Sequence, residues 1–204
     1  MTAEFLHTAK NLENRIFSTI NDFNQLALQV FRFQSLHCKV YSEFIANLNI
    51  NTDSVNRIED IPFMPVEFFK SHSIICEGCH EDVVFESSGT TGSACSKHYV
   101  AFKDVYITSF LKTFQNNYGP AKDLVIFGLL PSYMERGNSS LVFMANELIS
   151  QSSDKRSSFY LHNYDDLALI IKETEKQNRK SLLLGVTFAL LNFAEHYPDR
   201  KSVV

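Results

Sequence analysis

The chain has 204 residues, 45% of them hydrophobic and 21% charged. That is the balance of a folded globular chain, long enough for one sizeable domain or a large piece of a bigger one. Its formal net charge is −4, and the absence of any Lys/Arg cluster or basic stripe argues against a nucleic-acid-binding surface. Phe occurs 18 times and Trp not at all, so a core rich in Phe rings is expected.

The first ten residues, Met1 to Lys10, lack the charged-then-apolar layout of a signal peptide. Further along, Phe23, Leu26, Ala27, Val30, Phe31 and Phe33 recur at helical spacing behind the cap candidates Asn21 and Asp22. After a break near His37 the pattern continues through Val40, Tyr41, Phe44, Ile45 and Leu48. The texture then changes. Two prolines three residues apart in Ile61-Pro-Phe-Met-Pro65 exclude regular helix and central strand. Ser73 to Ile75 and Val83 to Glu86 read as short strands joined by a tight turn at Glu77-Gly78. His98 to Ala101 is a further strand, and Asp104 to Asn116 an amphipathic helix that turns Val105, Ile107, Phe110, Leu111 and Phe114 inward. Asp123 to Leu130 is a continuous apolar run, as in a strand buried on both faces. Ser140 to Ile149 is helical, Phe159 to Leu161 a short strand, and Asp165 to Gln177 a helix opened by its Asp pair. Leu182 to Leu184 is a strand, with a helix from there through Ala194. The apolar stretch Leu182 to Ala194 is interrupted by Gly185, Thr187 and Asn192, short of the roughly 18 apolar residues of a spanning helix.

Alternating strands and helices behind a helical start predict an α/β fold with a largely parallel or mixed sheet and flanking helices. The last residues, Lys201-Ser-Val-Val204, read as the start of a strand without a continuation, so the chain is expected to be a cut piece.

Chemistry concentrates at Ser87-Ser-Gly-Thr-Thr-Gly92, where an apolar strand runs into a loop dense in hydroxyls and glycines. Glycine lets backbone turn sharply and approach a ligand closely, and consecutive N–H groups form a concave anion site to which hydroxyls add rotatable donors. These features suit nucleotide phosphates, although the Gly-Lys-Ser/Thr ending of a Walker loop is absent. Taken as composition alone, a plain surface turn is the alternative.

The string Ser-Ser-Gly-Thr-Thr-Gly resembles the phosphate-binding motif of the acyl-adenylating superfamily. The flanks Phe23-Asn-Gln-Leu-Ala-Leu28, Phe31-Arg-Phe-Gln34, Ile61-Pro-Phe-Met-Pro-Val-Glu-Phe-Phe-Lys70 and Val84-Phe-Glu86 are similar to its acyl-protein synthetase (LuxE-like) branch. So are Leu129-Leu-Pro-Ser-Tyr-Met-Glu-Arg136, Ser139-Ser-Leu-Val142 and Leu183-Leu-Gly-Val-Thr-Phe-Ala189. The resemblance runs from about Phe23 to Pro198, as separate motifs in order.

It implies the N-terminal part of an adenylate-forming domain, over residues 1–204 with the C-terminal part absent. It also implies a ligase chemistry. A carboxylic acid, by the resemblance a fatty one, attacks the α-phosphate of ATP with Mg²⁺ to give an acyl-adenylate; the abundance of Phe and Leu agrees with an apolar chain. The acyl group then passes to a protein thiol and on to a partner, an acyl-accepting protein or carrier or a reductase. In these terms Ser87, Ser88, Gly89, Thr90, Thr91 and Gly92 hold the β/γ-phosphates. Lys97 or His98, just beyond the loop, neutralises charge. Pro131, Ser132, Tyr133 and Arg136 line the acyl pocket and approach the adenylate, and Gly185, Val186 and Thr187 form a strand-to-helix turn bordering it. The family's later elements for adenine, ribose, the mobile lysine and the acyl-accepting cysteine do not occur here. The implied alternative is therefore a truncated non-catalytic module that binds a nucleotide or a partner.

Other features have plainer readings. Cys76-Glu-Gly-Cys79, with His72 and His80 nearby, is half of a zinc site at most, because a second ligand pair at finger spacing is missing. A reduced Cys-x-x-Cys in a turn is the simpler account, and no metal is assigned. Cys38 and Cys95 read as small packing residues in preference to acyl carriers. Glu135-Arg136 reads either as a surface ion pair or as part of the site. The four cysteines do not form a secreted disulfide framework, and a cytoplasmic protein is expected.

Overall fold

The computed structural model describes residues 2–18, 22–87, 95–130, 137–161 and 163–197. It comprises two compact units, Met1–Tyr106 and Ile107–Val204. Both contain helices, and each holds its own small sheet.

The first unit opens with α1 (Ala3–Ile16), which buries Phe5 and Leu12. Its N-cap Thr2 accepts the Phe5 N–H at 3.2 Å. The helical start expected from sequence thus begins before Phe23, the first residue to which that expectation gives a helical position. Helix α2 (Phe23–His37) starts where expected, its N-cap Asp22 accepting from Asn24 N–H at 2.9 Å and Gln25 N–H at 3.4 Å. Leu26 and Phe31 face inward as the spacing predicts, but Phe23 is 73% exposed. It belongs to the first turn, with one helical turn's worth of neighbours. Cys38 leaves helical geometry and α3 (Lys39–Asn47) follows at once, so the predicted break sits one residue beyond His37.

Phe31, Cys38, Tyr41, Ile45 and Val55 form the core of this unit, with Met64, Ile74 and Cys76 against it. The Tyr41 hydroxyl donates to the Pro62 carbonyl at 2.8 Å, which ties the irregular Pro-Phe-Met-Pro segment to the helices. A short helix α4 (Phe68–Ser71) follows.

Ser73 to Ile75 is not a strand. Ile74 and Cys76 are held by packing on the helical core, which replaces ladder pairing as the way this segment is ordered. Strand β1 (Val83–Glu86) pairs instead with β2 (Lys97–Val100), antiparallel, with Phe85 opposite His98 and Glu86 opposite Lys97.

Helix α5 (Lys103–Tyr118) carries the boundary between the units. The second unit then alternates β3 (Val125–Leu129), α6 (Ser140–Gln151), β4 (Ser158–Phe159), α7 (Tyr164–Lys176), β5 (Ser181–Gly185) and α8 (Thr187–His196). All three strands are parallel in the order β4-β3-β5, with β3 central. Val125, Ile126, Phe127, Leu129 and Leu130 have no exposed surface, as the apolar run predicted.

The reason is a layer on each face. Val125, Phe127 and Leu129 pack with Leu167, Ala168 and Ile171 of α7 and Ala189 and Phe193 of α8. Ile126 points the other way, to Leu124, Ala121 and Leu148 of α6, with Phe110, Leu111 and Phe114 of α5 against them. Successive strand residues alternate faces, so one apolar run serves two cores. The fold is thus mixed α/β, and among the described residues no helix is long and apolar enough to cross a membrane.

Candidate functional site

The first group of predicted site residues lies on the β1–β2 hairpin. Ser87 N–H donates to the Ser96 carbonyl at 3.0 Å, and Ser96 N–H donates to Ser87 Oγ at 3.0 Å. These two hydrogen bonds join the residues on either side of the segment 88–95, which holds the glycines and most of the hydroxyls. Ser96 was not singled out from sequence; a serine at each end of a Gly/Thr-rich segment between two short strands was the signal available. Ser88, Gly89, Thr90, Thr91 and Gly92 lie outside the described residues.

Lys97 Nζ stands 3.2 Å from Glu86 Oε1. The register puts the two side by side across the ladder, where opposite charges attract. Both are solvent-exposed, so the pair contributes about 0–1 kcal/mol. Its consequence is positional, because the lysine that sequence reading assigned to the triphosphate already has an anionic partner.

His98 points off the opposite face of β2. Its ring makes edge contacts with Phe69 (centroids 6.1 Å) and Tyr106 (6.5 Å). Partial burial against these rings lowers its pKa below the usual histidine value, while the residue keeps an exposed surface. At neutral pH His98 is therefore an uncharged donor or acceptor, not a cation.

The second group lies in the parallel sheet. Val186 N–H donates to the Leu129 carbonyl at 3.3 Å, so the turn leaving β5 rests on the end of β3. A Cβ on Gly185 would sit 2.8 Å from Leu190 Cδ2 and 3.0 Å from the Leu129 carbonyl oxygen. Glycine at this position lets α8 start close against the sheet. Val186 is the N-cap of α8 and provides no side-chain hydrogen bond, and Thr187, the first helical residue, is exposed.

Helix α6, which follows β3, covers one face of the sheet, whereas α8, which follows β5, covers the other. The chain therefore reverses its winding between these two neighbouring strands. In open α/β sheets, ligands bind outside the carboxyl ends of the strands at such a switch point. Gly185, Val186 and Thr187 occupy one side of it. Pro131, Ser132, Tyr133, Glu135 and Arg136 come next in the chain after Leu130, the buried residue that follows β3, and lie outside the described residues, as do Asn21 and Lys201 to Val204.

Among the described residues no group of three or more His, Cys, Asp or Glu side chains is arranged to hold a metal ion. Cys38, Cys76, Cys79 and Cys95 are free thiols. No family model, curated protein or solved structure matches the chain.

Proposed function

We propose that this chain takes part in the ATP-dependent activation of a carboxylic acid, in the manner of the acyl-protein synthetases whose motifs its sequence resembles. The observation that supports the reading is the pair of hydrogen bonds between Ser87 and Ser96, the residues that flank the glycine- and hydroxyl-rich string in the chain. Backbone N–H groups and the hydroxyls of Ser87, Ser88, Thr90 and Thr91, with the Gly89 and Gly92 backbone, suit the β/γ-phosphates. Lys97, whose surface pair with Glu86 is weak, and Mg²⁺ would add to the charge compensation that these donors give. The ion would arrive on the phosphates, as Mg²⁺ commonly does, in place of a protein cage. ATP supplies the phosphoanhydride that converts an unreactive carboxylate into a good acyl donor. The protein's part is to orient two mutually repelling anions and to exclude water.

The acid is read at the carboxyl ends of β3 and β5. The turn Gly185-Val186-Thr187 would border the acyl chain there, and the resemblance assigns the same pocket Pro131, Ser132, Tyr133 and Arg136, which lie outside the described residues. Onward transfer of the acyl group to a protein thiol or carrier follows from the same resemblance.

The test is carboxylate-dependent ATP–pyrophosphate exchange by the purified protein across fatty acids of graded chain length. Exchange with apolar acids is expected. Thr90→Ala should lower it about 100-fold, the cost of one preorganised donor, with an unchanged unfolding midpoint. ATP binding without exchange at any chain length would replace catalysis with a nucleotide-binding role. Absence of both would end the reading.

A further inference from the structure

The segment Cys76-Glu-Gly-Cys79 is not used by the function proposed above. Its geometry is well defined: Cys79 N–H donates to the Cys76 carbonyl at 3.1 Å, and Gly78 has φ of +75°. A four-residue turn closed by that bond, with a positive φ at its third position, brings its first and fourth Cα atoms within about 7 Å. Disulfides join Cα atoms about 4.4–6.8 Å apart. The turn is also anchored from outside, because Glu77 N–H donates to the His37 carbonyl at 2.8 Å. Cys76 packs on the helical core beside Cys38, and Cys79 is partly exposed.

We propose that Cys76 and Cys79 form a reversible disulfide clasp across the Glu77–Gly78 turn, closed by exchange with a low-molecular-weight disulfide. One protein thiolate attacks the small disulfide, forming a mixed disulfide and releasing one small thiol. The second protein thiol loses its proton to solvent and displaces the other small thiol. Two protein S–H bonds become one S–S bond, and the small disulfide is reduced to two thiols.

This is a different device from a catalytic dithiol, which opens a helix and carries a depressed pKa. Here burial, with the Cys38 and Cys79 thiols adding to it, pushes Cys76 up to about 11, and burial pushes Cys79 up as well. Both thiols stay protonated at neutral pH, so exchange is slow, since it needs the thiolate. The clasp responds to sustained oxidation and ignores brief exposure. Once closed, it fixes the path between α4 and β1.

The experiment uses the whole chain incubated with glutathione disulfide at pH 8, with intact mass followed over time. The expected result is loss of two hydrogens, reversed by dithiothreitol. Cleavage after Glu residues should then release peptide 68–77 still joined to peptide 78–81, because Glu77 lies between the two cysteines. Cys79→Ser should abolish the mass loss, and Cys95→Ser should leave it intact. A bridge mapped to Cys38, a persistent glutathione adduct on one cysteine, or no change of mass in the wild-type protein would each overturn the proposal. None of these outcomes depends on nucleotide binding.

Discussion

At Asp154, several donors converge on one carboxylate. Arg156 Nε reaches Oδ1 at 2.8 Å and Nη2 reaches Oδ2 at 2.6 Å, and the Arg156 backbone N–H also donates to Oδ1 at 3.0 Å. Arg179 Nε stands 3.8 Å away. The Arg156 hydrogen bonds, first among these, hold the carboxyl at about 2, well below the usual aspartate value. The folded-state pKa lies below the unfolded one of about 3.9. The resulting stability is therefore fully present above about pH 4 and disappears as pH falls from there through about 2. Asp154→Asn should cost about 1–2 kcal/mol at pH 7, the scale of a charged hydrogen bond partly open to water. That deficit should close as urea unfolding is repeated down to about pH 2. A deficit that stays constant with pH would assign the effect to something other than the charge.

At the scale of elements, the pairing of β3 with β4 rests on very little strand. Gly128 stands opposite Phe159, and Tyr160 N–H donates to the Gly128 carbonyl at 2.8 Å. The Phe159 ring lies over the glycine so closely that a Cβ there would be 2.6 Å from Cδ1. Gly128→Ala should destabilise the chain by about 1–3 kcal/mol through overpacking. Phe159→Ala in the same background should recover part of that loss in denaturant titration. Equal, additive losses would show that the ring and the glycine do not depend on each other.

This pair also marks the limit of sequence reading. The apolar run around β3 was legible because burial on both faces removes alternation, and α2 was legible through its 3.6-residue spacing and Asp22 cap. Strand β4 was placed at Phe159 to Leu161 but is only Ser158–Phe159, because the run is ordered by ring-on-glycine contact and not by pattern. Ser73 to Ile75 has strand composition, yet Ile74, like Cys76 just beyond it, packs on the α2–α3 core and not in a ladder. The chain before Asn21 is as apolar as the rest, but no inward face was assigned to it, and α1 became visible only with the packing of Phe5 against Phe33 and His37. For the site, the hydroxyl-rich string and the β5-to-α8 turn were legible as motifs. The Glu86 partner of Lys97 and the neutral state of His98 were not, because both depend on strand register and ring packing.

Over the molecule as a whole, protection from solvent is uneven. β3 has a hydrogen-bonded neighbour on each edge and helices over each face, whereas the β1–β2 sheet has two short strands, among the described residues. Two-stranded sheets are marginal alone, and local opening tracks contact and burial. Amide hydrogen exchange should therefore be slowest from Ile126 to Leu129 and at least about 100-fold faster from Val84 to Glu86. Similar rates in the two segments would mean that the hairpin is held by interactions other than its own ladder.

The central position of β3 has a consequence for the chain while it is being made. Both of its partners, β4 and β5, lie downstream of it. At about 5–20 residues per second, several seconds pass between synthesis of β3 and synthesis of Ser181 to Gly185. Until Ser158–Phe159 is made β3 has two open edges, and one edge stays open until β5 follows, which is the condition under which strands pair with other chains.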